Sequence, residues 1–224
     1  MVAISFIGTL FDMITVSVNL RVRPEMAIEG FDSMYEALSG GLYFLFIGIF
    51  ASLVFTSDYS SQSIRQIIGK GTKRTSFTFG SIFTVFVLSL VIAAVAYVSA
   101  FLRGTFVGSG TGPFDGLMIL RFVCAVLVFG FMYVSFTQLV ANITRKTSWT
   151  LIIAIFTAPI LQMCAFTLTA LTEKKMFFDP ITLMDLATST STAPADYLFA
   201  VIPYFCAGIL LTCASIIVSD RKDL

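Results

Sequence analysis

From Phe77 to Leu102 the chain runs for twenty-six residues without one charged side chain. About twenty apolar residues suffice for a helix to cross the hydrocarbon of a bilayer, where every backbone polar group must be satisfied internally. A run this long specifies a membrane helix with residues to spare, able to tilt or to protrude. Comparable stretches cover about 3–20, 39–57, 117–141, 148–171 and 197–219. The chain is 57% hydrophobic and 12% charged, against about 45–50% and about 25% in soluble domains. The expected fold class is therefore an all-α polytopic membrane protein, with residues 1–224 forming one transmembrane domain of six helices.

Composition also removes several kinds of chemistry. The net charge is +1, which gives no electrostatic basis for a nucleic-acid partner. There is no histidine, so the commonest general base and metal ligand is absent. The four cysteines, Cys124, Cys164, Cys206 and Cys213, all fall in apolar runs without a CxxC spacing, and read as small hydrophobes rather than as a disulfide or metal site. Gly69-Lys70-Gly71-Thr72 is not a phosphate-binding loop, because Gly71 follows the lysine and Ile64 stands where the first glycine belongs. No catalytic constellation and no bound cofactor are expected, and the chain reads as a non-enzyme that does not hydrolyse ATP.

Taken in order, the first run, 3–20, carries Asp12 at its centre. A carboxylate at bilayer depth costs about 2.5–3.5 kcal/mol on insertion scales, so it faces protein or a wet cavity. Asp12 is either a polar element of a substrate path or a residue of a short helix that lies nearer water than the count suggests. Glu25, Glu29, Asp32 and Glu36 follow against Arg21 and Arg23, and Met26 to Leu38 can form a short helix at the outer surface. Residues 103–116 hold five glycines and Pro113 and read as a flexible outer loop. Arg121 is expected to reach for the interface, with a substrate-binding role as the other possibility. Residues 142–147 make a tight basic turn, and Trp149 anchors the next span at the interface. Pro159 and Gln162 lie inside that span, and Gln162 is a second candidate for a polar pathway element. Residues 172–196 form the longest outer segment, and Pro203 sits in the first turns of the last span.

The cations orient the chain. Arg65, Lys70, Lys73, Arg74, Arg145, Lys146, Arg221 and Lys222 fall on one side and Arg21, Arg23, Arg103, Lys174 and Lys175 on the other. The denser set marks the cytoplasmic side and places both termini there. Asn142-Ile143-Thr144 matches a glycosylation acceptor but lies on that cytoplasmic side, which discounts it.

The polar stretch 56–74, between the second and third runs, carries four of the fourteen Lys and Arg residues. Ile64, Ile67 and Ile68 share one face of a short helix. Asp58 suits its N-terminal end, and Gly69, Gly71 and the basic residues suit its C-terminal end. Phe55, Asp58, Tyr59, Ile64, Ile67, Ile68, Gly71 and Arg74 follow the order and spacing of the corresponding loop in ABC-2 type permeases, the membrane subunits of ABC exporters, which the chain resembles over most of its length. Gln62 and Ser63 depart from the usual Gly-Thr, and Asp58 replaces the usual Glu.

The resemblance implies that 58–76 is a coupling loop between spans 2 and 3, whose amphipathic helix docks on a separate cytoplasmic ABC ATPase. Asp58, Tyr59, Ile64, Arg65, Ile67, Ile68, Gly71, Lys73 and Arg74 would form that contact. ATP and Mg²⁺ would bind the partner, not this chain. A second permease chain, identical or paralogous, would complete the pathway in a bacterial plasma membrane. Residues 181–187 would dip into the outer membrane face as short helices. Family members usually carry a cytoplasmic segment before the first span, so either the true start lies upstream or the first helix is short. The few charges along the path favour an amphipathic or hydrophobic cargo such as a peptide, bacteriocin or drug. The second reading is a membrane scaffold that uses the same loop to hold a cytoplasmic partner without transport, and a secondary carrier is the third.

Overall fold

A computed structural model describes residues 29–39, 42–60, 74–107, 110–112, 115–172 and 194–221. Among these there are six helices and no strand: α1 (Gly30–Ser39), α2 (Leu42–Ser60), α3 (Arg74–Val107), α4 (Gly116–Thr144), α5 (Thr147–Thr172) and α6 (Pro194–Arg221). Three contain segments long and apolar enough to cross a membrane, Thr75–Val107, Gly116–Thr144 and Tyr197–Asp220. Phe46–Ser57 in α2 and Thr147–Leu161 in α5 are shorter apolar segments among the described residues. The six-span expectation is thus met for three helices, and the first run, 3–20, lies outside the described residues.

α4 is the central helix and touches each of the other long ones, α2, α3, α5 and α6. Its buried residues include Phe122, Phe129, Tyr133 and Val134 along the apolar length and Ser135, Thr137, Gln138 and Asn142 toward its end. Aromatic contacts fix the helix directions. Tyr97 meets Phe122 and Phe86 meets Phe131, so α3 runs antiparallel to α4. Phe129 meets Tyr204 and Phe131 meets Phe205, so α6 runs parallel to α4. The start of α3, the end of α4, the start of α5 and the end of α6 therefore share one end of the bundle. Arg74, Arg145, Lys146 and Arg221 belong to that end, which is called the basic end below.

The expected tight turn is shorter than 142–147. α4 continues to Thr144, α5 begins at Thr147, and only Arg145 and Lys146 lie between them. Arg145 takes the left-handed conformation at φ 51° and ψ 16°, and its N–H donates to Ala141 O, which closes α4. The Thr144 and Thr150 hydroxyl oxygens, 2.7 Å apart, tie the two helices across the turn.

The opposite end corrects the expectation of a flexible loop over 103–116. α3 continues as helix through Val107. Gly110 O and Thr111 O accept from the N–H groups of Gly30 and Phe31 at 2.8 and 3.2 Å, so the glycine-rich segment caps the first turn of α1. Arg103 is not a loop cation but a helical residue, and its Nη2 donates to Ser33 Oγ at 2.7 Å. The physical reason for the glycines is close approach rather than freedom. A Cβ on Gly104 would sit 2.7 Å from Glu29 O and Gly30 Cα, so only glycine lets α1 rest on α3. The predicted short surface helix thus exists as α1, seated on the far end of α3.

Candidate functional site

The described part of the bundle concentrates buried polar side chains where α4 and α6 approach the basic end. On α4 they are Ser135, Gln138 and Asn142; on α6 they are Thr212 and Ser215, followed by the half-buried Ser219. Each set repeats at i, i+3 and i+7, which places its members on one helix face. The two faces meet along the α4–α6 contact. Close approach is secured above them by Gly208, where an added Cβ would come within 2.7 Å of the Phe131 ring. Small residues at such a crossing let polar groups bond across it.

The bonds are specific. Ser135 Oγ and Thr212 Oγ1 lie 3.0 Å apart. Asn142 Nδ2 donates to Ser215 Oγ at 2.8 Å and to Ser215 O at 3.0 Å. A backbone carbonyl only accepts, so the amide orientation of Asn142 is fixed and its Oδ1 points the other way. Gln138 Nε2 donates to that Oδ1 at 3.0 Å. Gln138 Oε1 is then left buried and accepts no hydrogen bond. From α3, Thr78 Oγ1 donates to Ser219 Oγ at 3.2 Å. Three helices are thereby linked by uncharged hydroxyl and amide groups. Such groups can hold helices in register or bond a polar group passing between them, but they do not by themselves assemble a nucleophile with its base. Among the described residues there is no group of three or more His, Cys, Asp or Glu side chains able to hold a metal ion.

Two aromatic hydroxyls hold the outer layers. Tyr133 donates to Ala154 O, which ties α4 to α5. Tyr197 donates to Arg121 O at 2.6 Å, and the Arg121 guanidinium lies 5.9 Å from the Tyr197 ring centre. Arg121, on α4, is half-buried, and its guanidinium makes a cation–π contact with the Tyr197 ring of α6.

Of the residues expected in the coupling contact, Ile64, Arg65, Ile67, Ile68, Gly71 and Lys73 lie outside the described residues. Asp58 and Tyr59 fall in the last turn of α2, so Asp58 ends the preceding helix instead of opening a new one. Arg74 is the first residue of α3. Asp12 and the segment 181–187 also lie outside the described residues, and Gln162 is on α5. The polar seam was not anticipated, although the i, i+3, i+7 spacing of polar residues inside two apolar runs was available to find it. Its Asn142 belongs to the glycosylation pattern discounted above on topology. Burial of that amide against Ser215 gives a separate reason why it is no acceptor. No family model matches the chain, and no curated protein and no solved structure is similar to it.

Proposed function

We propose that the chain is the membrane-spanning permease subunit of an ATP-driven exporter of the ABC-2 type. It crosses a bacterial plasma membrane six times with both termini in the cytoplasm. Two copies, or a copy and a paralogue, enclose a path for an amphipathic or hydrophobic cargo such as a peptide. A separate cytoplasmic ATPase binds ATP and Mg²⁺ and drives the cycle through the 58–76 loop.

One observation carries this reading. The thirteen residues 61–73 enter the bundle at Arg74, at the end where the Arg145–Lys146 turn and the end of α6 also gather. The residues from Phe55 to Arg74 that match the permease loop thus join onto the cationic end, which the orientation rule assigns to the cytoplasm. Force applied there reaches α3 directly, and through Thr78 it reaches α6.

The test is purification of the tagged chain from its native membranes in mild detergent, with the accompanying proteins identified by mass spectrometry. A stoichiometric ATPase that is lost in the Ile64→Asp, Ile67→Asp double variant, together with ATP-dependent cargo export, is the expected result. Repeated isolation without an ATPase, or export that persists in the double variant, overturns the proposal. Export that collapses with an uncoupler while ATP is held constant identifies a secondary carrier instead.

A further inference from the structure

We propose that the apolar run 3–20 packs as a helix parallel to α3, along the exposed face of α3, with Asp12 beside Thr84. That face is regular. Gly80, Thr84, Val87, Val91, Ala94 and Val98 are all exposed and recur at alternating steps of four and three. This is the heptad spacing of a seam that keeps facing one partner helix. A Cβ added to Gly80 would meet nothing within 4 Å, so a second backbone can come close there. The exposed faces of the neighbouring helices are built differently, with Leu120, Val123 and Leu127 on α4 and Phe199, Ile202 and Leu210 on α6. Bulky apolar side chains of that kind suit lipid tails. A glycine and a hydroxyl at seam spacing suit another helix.

The run carries the complementary pattern. Ser5, Gly8, Asp12, Thr15 and Asn19 recur at alternating steps of three and four, with Thr9 flanking them and Ser17 outside the face. Asp12 is the one charged residue of the run, and a carboxylate at that depth has to face protein or water. Connectivity sets the direction. Glu29 lies against Gly104, at the far end of α3 from Arg74. Leu20 precedes Glu29 by nine positions, a reach of about 30 Å at full extension. A run that crosses the bilayer therefore finishes on the α1 side and starts at the basic end, as α3 does. Among the seam residues of α3, Thr84 alone offers Asp12 a polar side chain. Setting those two level also brings Gly8 to Gly80 and Thr15 to Val87. Thr84 Oγ1 donates to Gly80 O at 2.8 Å, and beside Asp12 it can turn that proton to a carboxylate or accept one from a carboxyl. In this register Leu20 is level with Ile92, which is about 18 Å short of Gly104 along α3, well within the reach of the connection. Asp12 is then a packing residue and not an element of a substrate path. This packing belongs to the chain by itself, whatever the 58–76 loop binds.

Disulfide trapping in native membranes tests the packing, in a full chain whose Cys124, Cys164, Cys206 and Cys213 are replaced by alanine. Thr15→Cys is combined either with Val87→Cys on α3 or with Phe205→Cys on α6. The two partner positions lie at one depth, because Phe131 touches both Phe86 and Phe205. A disulfide needs Cα atoms about 4.4–6.8 Å apart, so mild oxidation should join the pair on α3 and leave the pair on α6 open. A non-reducing gel separates bonds within one chain from bonds between chains. Adding Thr84→Val to the first pair should slow its joining about threefold, and adding Thr84→Ser should not, which isolates the hydroxyl beside Asp12. No bond at Val87, or a faster one at Phe205, overturns the packing. So does a bond between chains at Val87, which would give the α3 face to a second copy. Joining to Ala94→Cys in place of Val87→Cys, or equal rates in Thr84→Val and Thr84→Ser, overturns the contact of Asp12 with Thr84. If the first pair does not fold, Asn19→Cys with Val91→Cys, one turn further along both seams, takes its place.

Discussion

Asn142 on α4 gives its amide to both the hydroxyl and the carbonyl of Ser215 on α6, at 2.8 and 3.0 Å. One side chain thus fastens two parallel helices close to their basic ends. Replacing Asn142 by Leu removes these bonds and leaves Gln138 Nε2 without an acceptor. The expected loss is about 1–2 kcal/mol of stability, since buried groups are left unpaired in a medium without water. Unfolding in mixed detergent micelles measures it. A variant as stable as the wild type would show that the seam bears no weight.

Gly104 decides whether α1 can sit on α3. A Cβ there meets the backbone of Glu29 and Gly30 at 2.7 Å, and backbone cannot turn aside as a flexible side chain can. Gly104→Val should lift α1 at a cost of about 1–3 kcal/mol. Amide exchange across 30–39 should accelerate roughly tenfold or more, while exchange across α4 stays unchanged. Exchange measured peptide by peptide separates the two regions.

Arg145 holds a backbone conformation that L side chains rarely adopt. Arg145→Gly and Arg145→Val both discard the charge, so their difference isolates the backbone. Glycine should match or exceed the wild type, and valine should fall below glycine by about 1–3 kcal/mol. Thermal denaturation of the two purified variants gives the comparison.

Trp149 is the single tryptophan of the chain and stands exposed in the first turn of α5, two residues past the Thr147 start. Its place at the basic end predicts a headgroup-level indole. In vesicles, lipids brominated near the headgroup should quench its fluorescence more strongly than lipids brominated near the chain ends. The reverse order would place this end of the bundle deep in the hydrocarbon.

How far these features were legible in the sequence depends on the force behind each. The apolar runs of α3, α4 and α6 were plain, because twenty or more uncharged residues in succession have one dominant outcome. The Arg145–Lys146 turn was plain too, because a short polar interruption between two such runs has to reverse the chain. Gly104 and Gly110 misled. Glycine signals freedom and close packing in the same letter, and only the position of Glu29 and Gly30 in space shows that Gly104 serves packing. The seam was half-hidden. Ser135, Gln138 and Asn142 show their spacing in the sequence, but the pairing of Asn142 with Ser215 depends on how α4 and α6 are aligned, which no local pattern encodes. The contact of Arg121 with the Tyr197 ring could not be read from the sequence, because the two residues are 76 positions apart.

The parallel course of α4 and α6 settles a matter of parity. Two neighbouring helices that point the same way oblige the chain between them to travel back across the full thickness of the bundle, an odd number of times. Arg145 and Lys146 use up the whole reversal at one end, so the journey begins at Thr147. α5, with 26 residues at about 1.5 Å each, is roughly 39 Å long and sets out on that journey from the basic end. Pro159, which weakens the helix at its middle, therefore lies on the only described return route between the two helices that the seam binds.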